Sequence, residues 1–242
     1  PGLLEARDLF QRTMLAAALE ALHEADVVLA VVDAAAATDP DLEKLATTLD
    51  EVSVPRLLAI NKTDLASPDR VDALSRWSEA ALGARAFPVS ALRGGGVSRL
   101  RAALERALPP GPFLFPPDEV ASRPVRFFVA ELVRETVFRR FHQEIPYSVI
   151  CRIDEFREAQ DPVYISATIY VERESQKGIL VGRRGETVKA VGRESREKIE
   201  HFLGRSVYLD LWVKVLPRWR RKRSHLTRLG FHVPEGGDEE RP

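Results

Sequence analysis

Ten residues, Leu57 to Ala66 (LLAINKTDLA), carry the first legible chemistry in this chain. An apolar run ends in Asn61-Lys62-Thr63-Asp64, and Asn-Lys-x-Asp in that position suits a guanine ring. Asp64 can accept hydrogen bonds from guanine N1–H and the exocyclic amine. Adenine presents no such donor pair, so the carboxylate would be left unpaired against it. Asn61 can bond the O6/N7 side and tie neighbouring loops, while the Lys62 stem can lie along the base face. One strand-and-helix unit later, Ser90-Ala91-Leu92 can aim the Ala91 backbone N–H at O6. The blander reading makes Asp64 a helix cap and Ser90 a loop hydroxyl. Two such motifs at consecutive strand ends favour the base reader.

A second candidate lies in GILVGRRGETVKAVG, residues 178–192. A lone Gly-x-x-Gly is weak, but here an apolar segment precedes it and an amphipathic helix follows. Gly182 and Gly185 let a nucleic-acid backbone approach closely, and the N–H groups at the next helix start favour phosphate. Arg183 and Arg184 sit at the tip, where guanidinium forks match phosphate oxygens. Lys177, Lys189, Arg193 and Arg196 extend a cationic path, and Gly178 and Ile179 belong to the same candidate surface. Ile179, Leu180 and Val181 either floor a groove under the bases or belong to the core. A KH module clamps about four single-stranded nucleotides in this way. The following run, Arg218, Arg220, Arg221, Lys222 and Arg223, adds charge, with Trp219 as a stacking face. A solubilising charge run is the plainer alternative.

Composition agrees with a polyanion partner for the second half alone. The 242 residues have a formal net charge of zero, but residues 173–228 hold 16 Lys/Arg against 6 Asp/Glu. Residues 1–111 hold 12 against 16. A basic stretch of that density marks an electrostatic footprint. The single cysteine, Cys151, excludes an internal disulfide and reads as a buried spectator in a reducing compartment. No apolar run approaches the roughly 18 residues of a membrane span. No HExxH or Cys/His cluster appears, which leaves a metal- or nucleophile-based RNA-processing enzyme without residues to carry it.

These residues need two domains to position them. Residues 1–108 alternate strand and helix, with apolar strands at 27–34, 56–62 and 84–91 and helices near 4–24, 40–51, 68–82 and 96–107. Strands apolar on both faces suit a parallel, doubly wound α/β sheet. Residues 109–123 read as a Pro-rich, semi-rigid linker. Residues 124–216 read helix (124–142), two antiparallel strands (147–153 and 163–172), two helices around the Gly-x-x-Gly turn, and a last strand at 207–215. In the second of those helices Val188, Val191, Ser195, Ile199 and Phe202 share a face. In the last strand Val207, Leu209, Leu211, Val213 and Val215 point one way. Residues 217–242 read as a basic tail with an acidic, disordered end. Three strands make a thin sheet, and the first would expose a hydrophobic edge, so we expect strands before Pro1.

With both halves read, the chain resembles the Era family of bacterial GTPases, a Ras-like G domain of P-loop NTPase fold joined to an α+β type II KH domain. NKTD, SAL, EIPYSV (144–149), VERESQKGILVGRRGE (171–186) and VYLDLWVKV (207–215) carry the resemblance. GRRG departs from the Gly/Lys-rich form usual in the family but keeps both glycines. Pro1-Gly2 looks like the end of a D-T-P-G motif, which would put the phosphate loop and switch I upstream. No G-x-x-x-x-G-K-[ST] occurs in the 242 residues, so this chain alone should neither hold nucleotide tightly nor hydrolyse GTP. The resemblance implies GTP/GDP with Mg²⁺ in the complete protein. It also implies binding to the single-stranded 3′ end of small-subunit rRNA on the 30S particle, a cytoplasmic monomer, and loose peripheral membrane association. The competing reading is a nucleotide-independent KH protein with a degenerate G domain.

Overall fold

A computed structural model describes residues 6–112, 116, 123–141 and 145–234. The described residues up to 112 form one compact unit, and those from 116 to 233 form another. Most of the Pro-rich linker and the acidic end lie outside the described residues.

The first unit runs α1 (Leu9–Glu24), β1 (Val28–Asp33), α2 (Asp39–Asp50), β2 (Arg56–Asn61), α3 (Pro68–Leu82), β3 (Arg85–Pro88) and α4 (Val97–Ala107). The strands are all parallel, in the order β1-β2-β3. Alternation along β2 explains why its run is apolar throughout. Leu58 and Ile60 pack with Leu42, Leu49, Leu74 and Leu82 of α2 and α3, whereas Ala59 packs with Phe87, Leu100 and Ala103 toward α4. Helix starts follow their capping residues. The Asp41 carboxylate receives both the N–H and the hydroxyl of Thr38 at 3.0 and 2.6 Å, and Ser67 Oγ accepts from Arg70 N–H at 3.3 Å. Among the described residues nothing pairs with the outer edge of β1, where Val31 is 60% exposed.

The second unit runs α5 (Val125–Arg140), a single turn α6 (Ile145–Ser148), β4 (Ile150–Arg157), β5 (Val163–Val171), α7 (Glu174–Val181), a 3-10 turn at Arg183–Gly185, α8 (Glu186–Leu203), β6 (Val207–Val215) and α9 (Arg223–Arg228). The sheet order is β4-β5-β6, with β4 antiparallel and β6 parallel to β5. A parallel β5–β6 pair demands a crossover, and α7, the turn and α8 supply it. Val163, Ile165 and Ile169 of β5, Val129 and Val133 of α5 and Val191 and Ile199 of α8 make one core.

Three expectations need correction. The strand expected over 147–153 begins at Ile150, because Pro146 opens a helical turn closed by Ser148 Oγ donating to Ile145 O at 3.1 Å. Phe202 leaves the core face and stays 47% exposed, its ring 5.8 Å from that of Phe128. Trp219 is no stacking face, since only 1% of it is exposed.

Candidate guanine-base and nucleic-acid sites

Parallel register brings the carboxyl ends of β1 and β2 together, with Asp33 opposite Asn61. Lys62 follows with a left-handed backbone, φ +62°. That turn sends its ammonium back to Asp33, with Nζ 2.6 Å from Oδ2. The pairing holds the Asp33 carboxyl below its ordinary pKa and the Lys62 ammonium above its own. The stem of Lys62 is thereby pinned across the strand ends, where a base face would lie.

Asp64 caps no helix; Ser67 does that for α3. Its Oδ1 instead accepts from Ser90 Oγ at 2.6 Å, and Arg93 Nε lies 3.5 Å from Oδ2. The Ser90 hydroxyl first, then Arg93 and Lys62, hold this carboxyl below the usual range against the opposing effect of burial. It is a firm anion, as an acceptor of two N–H donors must be. The Ala91 N–H, expected to face O6, donates to Asn61 Oδ1 at 3.0 Å, so Asn61 ties the two loops together. Gly96 closes the loop behind them: at φ +76°, a Cβ there would stand 2.2 Å from Pro88 O. All five residues expected at a base site therefore share one strand-end cluster. Asp33 and Arg93 complete it and were not foreseen, although Asp33 ends the first apolar run as Asn61 ends the second.

In the second unit α7 stops at Gly182, whose φ of +70° and ψ of −179° suit only glycine. Arg184 follows at φ +53° and Gly185 at φ +79°, and α8 begins. Arg183 and Arg184 are both exposed at this tip. A cavity of about 350 Å³ lies between α8 and β6, lined by Val188, Lys189, Gly192, Arg193, Arg196, Leu209 and Leu211 among others. Its floor is apolar and small and its wall cationic, which fits bases below and phosphates along one side. Lys189, Arg193 and Arg196 were foreseen. Of the three residues that could be groove or core, Leu180 is 1% exposed in the core and Val181 packs against that core, while Ile179 stands 53% exposed. Gly192, Leu209 and Leu211 supply apolar and small lining to this cavity, the two leucines from alternate positions of β6. Lys177 and Gly178 lie on α7 just ahead of the turn, Gly178 exposed, and Arg220 is half-buried. Burial pushes the Cys151 thiol well above its ordinary value, so it is no nucleophile.

A parallel sheet ending in a guanine-type cluster, followed by a Gly-x-x-Gly module, defines a G domain joined to an RNA-binding KH fold. Family models agree: an elongation factor Tu GTP-binding domain matches residues 10–110 and a KH domain matches residues 144–220. The chain belongs to the Era family of GTPases. GTPase Era of Carboxydothermus hydrogenoformans is 42% identical over 234 residues, covering 96% of this chain and 78% of the relative. GTPase Era of Afipia carboxidovorans is 36% identical, with 97% and 77% covered. An Aquifex aeolicus Era variant bound to GDP·AlF4⁻ superposes with a TM-score of 0.87 at 32% identity, covering 95% of this chain and 79% of that one. Era in complex with MgGDPNP and nucleotides 1506–1542 of 16S ribosomal RNA gives 0.88 at the same identity and coverage.

Proposed function

We propose that this chain carries the base-reading and RNA-binding functions of a GTP-switched ribosome-assembly factor. Its KH unit takes the single-stranded 3′ end of small-subunit rRNA during 30S maturation, as a monomer in the cytoplasm, with loose attachment at the inner membrane face. The observation that supports the RNA reading is the turn from Gly182 to Gly185 leading into α8, whose Lys189, Arg193 and Arg196 line a groove against β6. Arg183 and Arg184 would clamp phosphates, aided by Lys177, Lys189, Arg193 and Arg220. Gly178, Gly182 and Gly185 would let the strand lie close, and the exposed Ile179 would offer an apolar contact to a base. The solved Era complex with a 16S rRNA segment supports the choice of RNA.

Asn61, Lys62, Asp64, Ser90 and Ala91 fit the guanine base of GTP or GDP: a firm carboxylate acceptor, a pinned cationic stem and two tied loops. Base contacts alone bind weakly. The motif that would hold the phosphates and Mg²⁺ is not among the 242 residues, so hydrolysis is assigned to no residue here. Bound GTP would supply the switch that licenses RNA binding. Among the described residues no helix is long and apolar enough to cross a membrane.

The decisive experiment replaces Arg183→Asp together with Arg184→Asp; aspartate tolerates the left-handed backbone at Arg184 better than most residues. Two lost charge-assisted contacts should weaken binding of a short single-stranded RNA at least about a hundredfold. Unchanged affinity in a folded double variant would remove the turn from RNA binding.

A further inference from the structure

The basic run after β6 is fixed to the fold by a buried chain of hydrogen bonds. Trp219 Nε1 donates to Ser148 O at 3.3 Å. Ser148 Oγ accepts from Gln176 Nε2 at 3.1 Å. Gln176 Oε1 in turn accepts the N–H groups of Glu172 and Arg173 at 3.0 and 3.1 Å. All three side chains are buried: Ser148 5%, Gln176 9% and Trp219 1% exposed. Gln176 sits in the first turn of α7, the helix that ends at the Gly182 turn. One polar path thus joins the segment after β6, through α6, to the helix that carries the Arg183-Arg184 tip.

Apolar packing alone would hold such a segment without specifying its rotation. Directional bonds between buried groups specify it, because any other arrangement leaves a donor or acceptor unpaired. The residue beside the anchor reports the constraint. Arg218 is held at φ +53°, with its carbonyl accepting from Arg221 N–H at 2.9 Å. Arg218, Arg221 and Lys222 are all exposed around the buried indole. Leu226, fully buried, anchors the far side.

We infer that Gln176, Ser148 and Trp219 are positioning residues that hold the 218–222 cations and the Arg183-Arg184 turn in one fixed geometry along an RNA backbone. The inference rests on the RNA-binding reading above. Cations held in place make phosphate contacts without first being ordered, which raises affinity. They also add to the salt dependence, by about 0.7 in the slope of log K against log salt for each single-strand phosphate neutralised.

The test uses the whole chain, a short single-stranded RNA and titrations at several salt concentrations. Trp219→Phe keeps an aromatic ring but deletes the N–H together with three ring atoms of a buried side chain; R218A/K222A removes two cations and leaves the tie intact. Both should bind several-fold more weakly with a shallower salt slope, and combining them should cost less than the sum of the two. If both keep the wild-type slope and affinity while the Arg183/Arg184 variant fails to bind, the tie is architectural and the inference falls. If that last variant binds normally too, the RNA reading itself has failed. Should Trp219→Phe unfold, R218A/K222A decides alone: a wild-type slope overturns the inference.

Discussion

Replacing Gly182 by alanine should separate backbone demand from mere flexibility at the nucleic-acid turn. Its φ of +70° and ψ of −179° lie in a region nearly closed to other residues, at a cost on the order of 1–3 kcal/mol. A Cβ there would also stand 2.0 Å from Thr187 Oγ1, 2.7 Å from its Cβ and 3.0 Å from its N. The first contact could move; the backbone nitrogen of α8 could not without shifting the helix. Together these should cost about 3 kcal/mol or more. Gly185 is the internal control. At φ +79° it is left-handed, but an added Cβ meets nothing within 4 Å, so Gly185→Ala should cost only about 1 kcal/mol. Because the chain has two units, a single melt is ill-suited; amide exchange read from α8 and β6 peptides reports the second unit alone. Gly182→Ala should lower their protection about a hundredfold, Gly185→Ala about fivefold. Thr187→Ala removes the hydroxyl but leaves Cβ and N, so it should rescue Gly182→Ala only in part. Equal losses at the two glycines, or complete rescue, would refute the geometry.

Two further outcomes follow from charge. Asp64→Asn turns one carboxylate oxygen into a donor, so a xanthine nucleotide should gain on GTP in competition binding; an unaltered preference would take Asp64 out of base recognition. His225 is held below its ordinary value of 6.5 by burial first, then by the Lys222 and Arg228 cations. A depressed histidine is stabilising while neutral: the opened state takes up protons first, so local stability holds above about pH 6.5 and declines as pH falls below it. Exchange protection in α9 should therefore hold above about pH 6.5 and drop as pH falls below it, and His225→Gln should flatten that dependence.

Local patterns were legible where one element carried the whole signal. The apolar run ending at Asn61, the Ser67-Pro68 start of α3 and the strict alternation of β6 each state their structure in consecutive residues. What escaped was set by partners distant in sequence. Asp33 joins the base site only because parallel pairing puts it opposite Asn61. Trp219 looked solvent-facing because arginines flank it, yet an acceptor 71 residues away, the carbonyl of Ser148, takes its N–H. Phe202 fits the apolar stripe of α8 by spacing, but Leu203, four residues after Ile199, is the one that packs against the core, and Phe202 meets Phe128 instead. Ile150–Arg157 began late because a proline-led turn overrode the β-branched run around it.

Backbone strain supplies an independent line on where function sits. Among the described residues three non-glycine side chains have positive φ: Lys62, Arg184 and Arg218. Each such conformation costs on the order of 1–3 kcal/mol and persists only where surrounding structure over-determines it. One lies in the base cluster, one at the tip of the Gly-x-x-Gly turn and one beside the buried indole that fixes the basic segment. Glycine would relieve all three at no steric cost. A long cation stands at each instead, and two of them project from the surface proposed for a polyanion. Folding alone gives no reason to put arginine on a left-handed backbone at Arg184 and Arg218. On the RNA-binding reading proposed above, presenting a guanidinium at a fixed angle to a phosphate would.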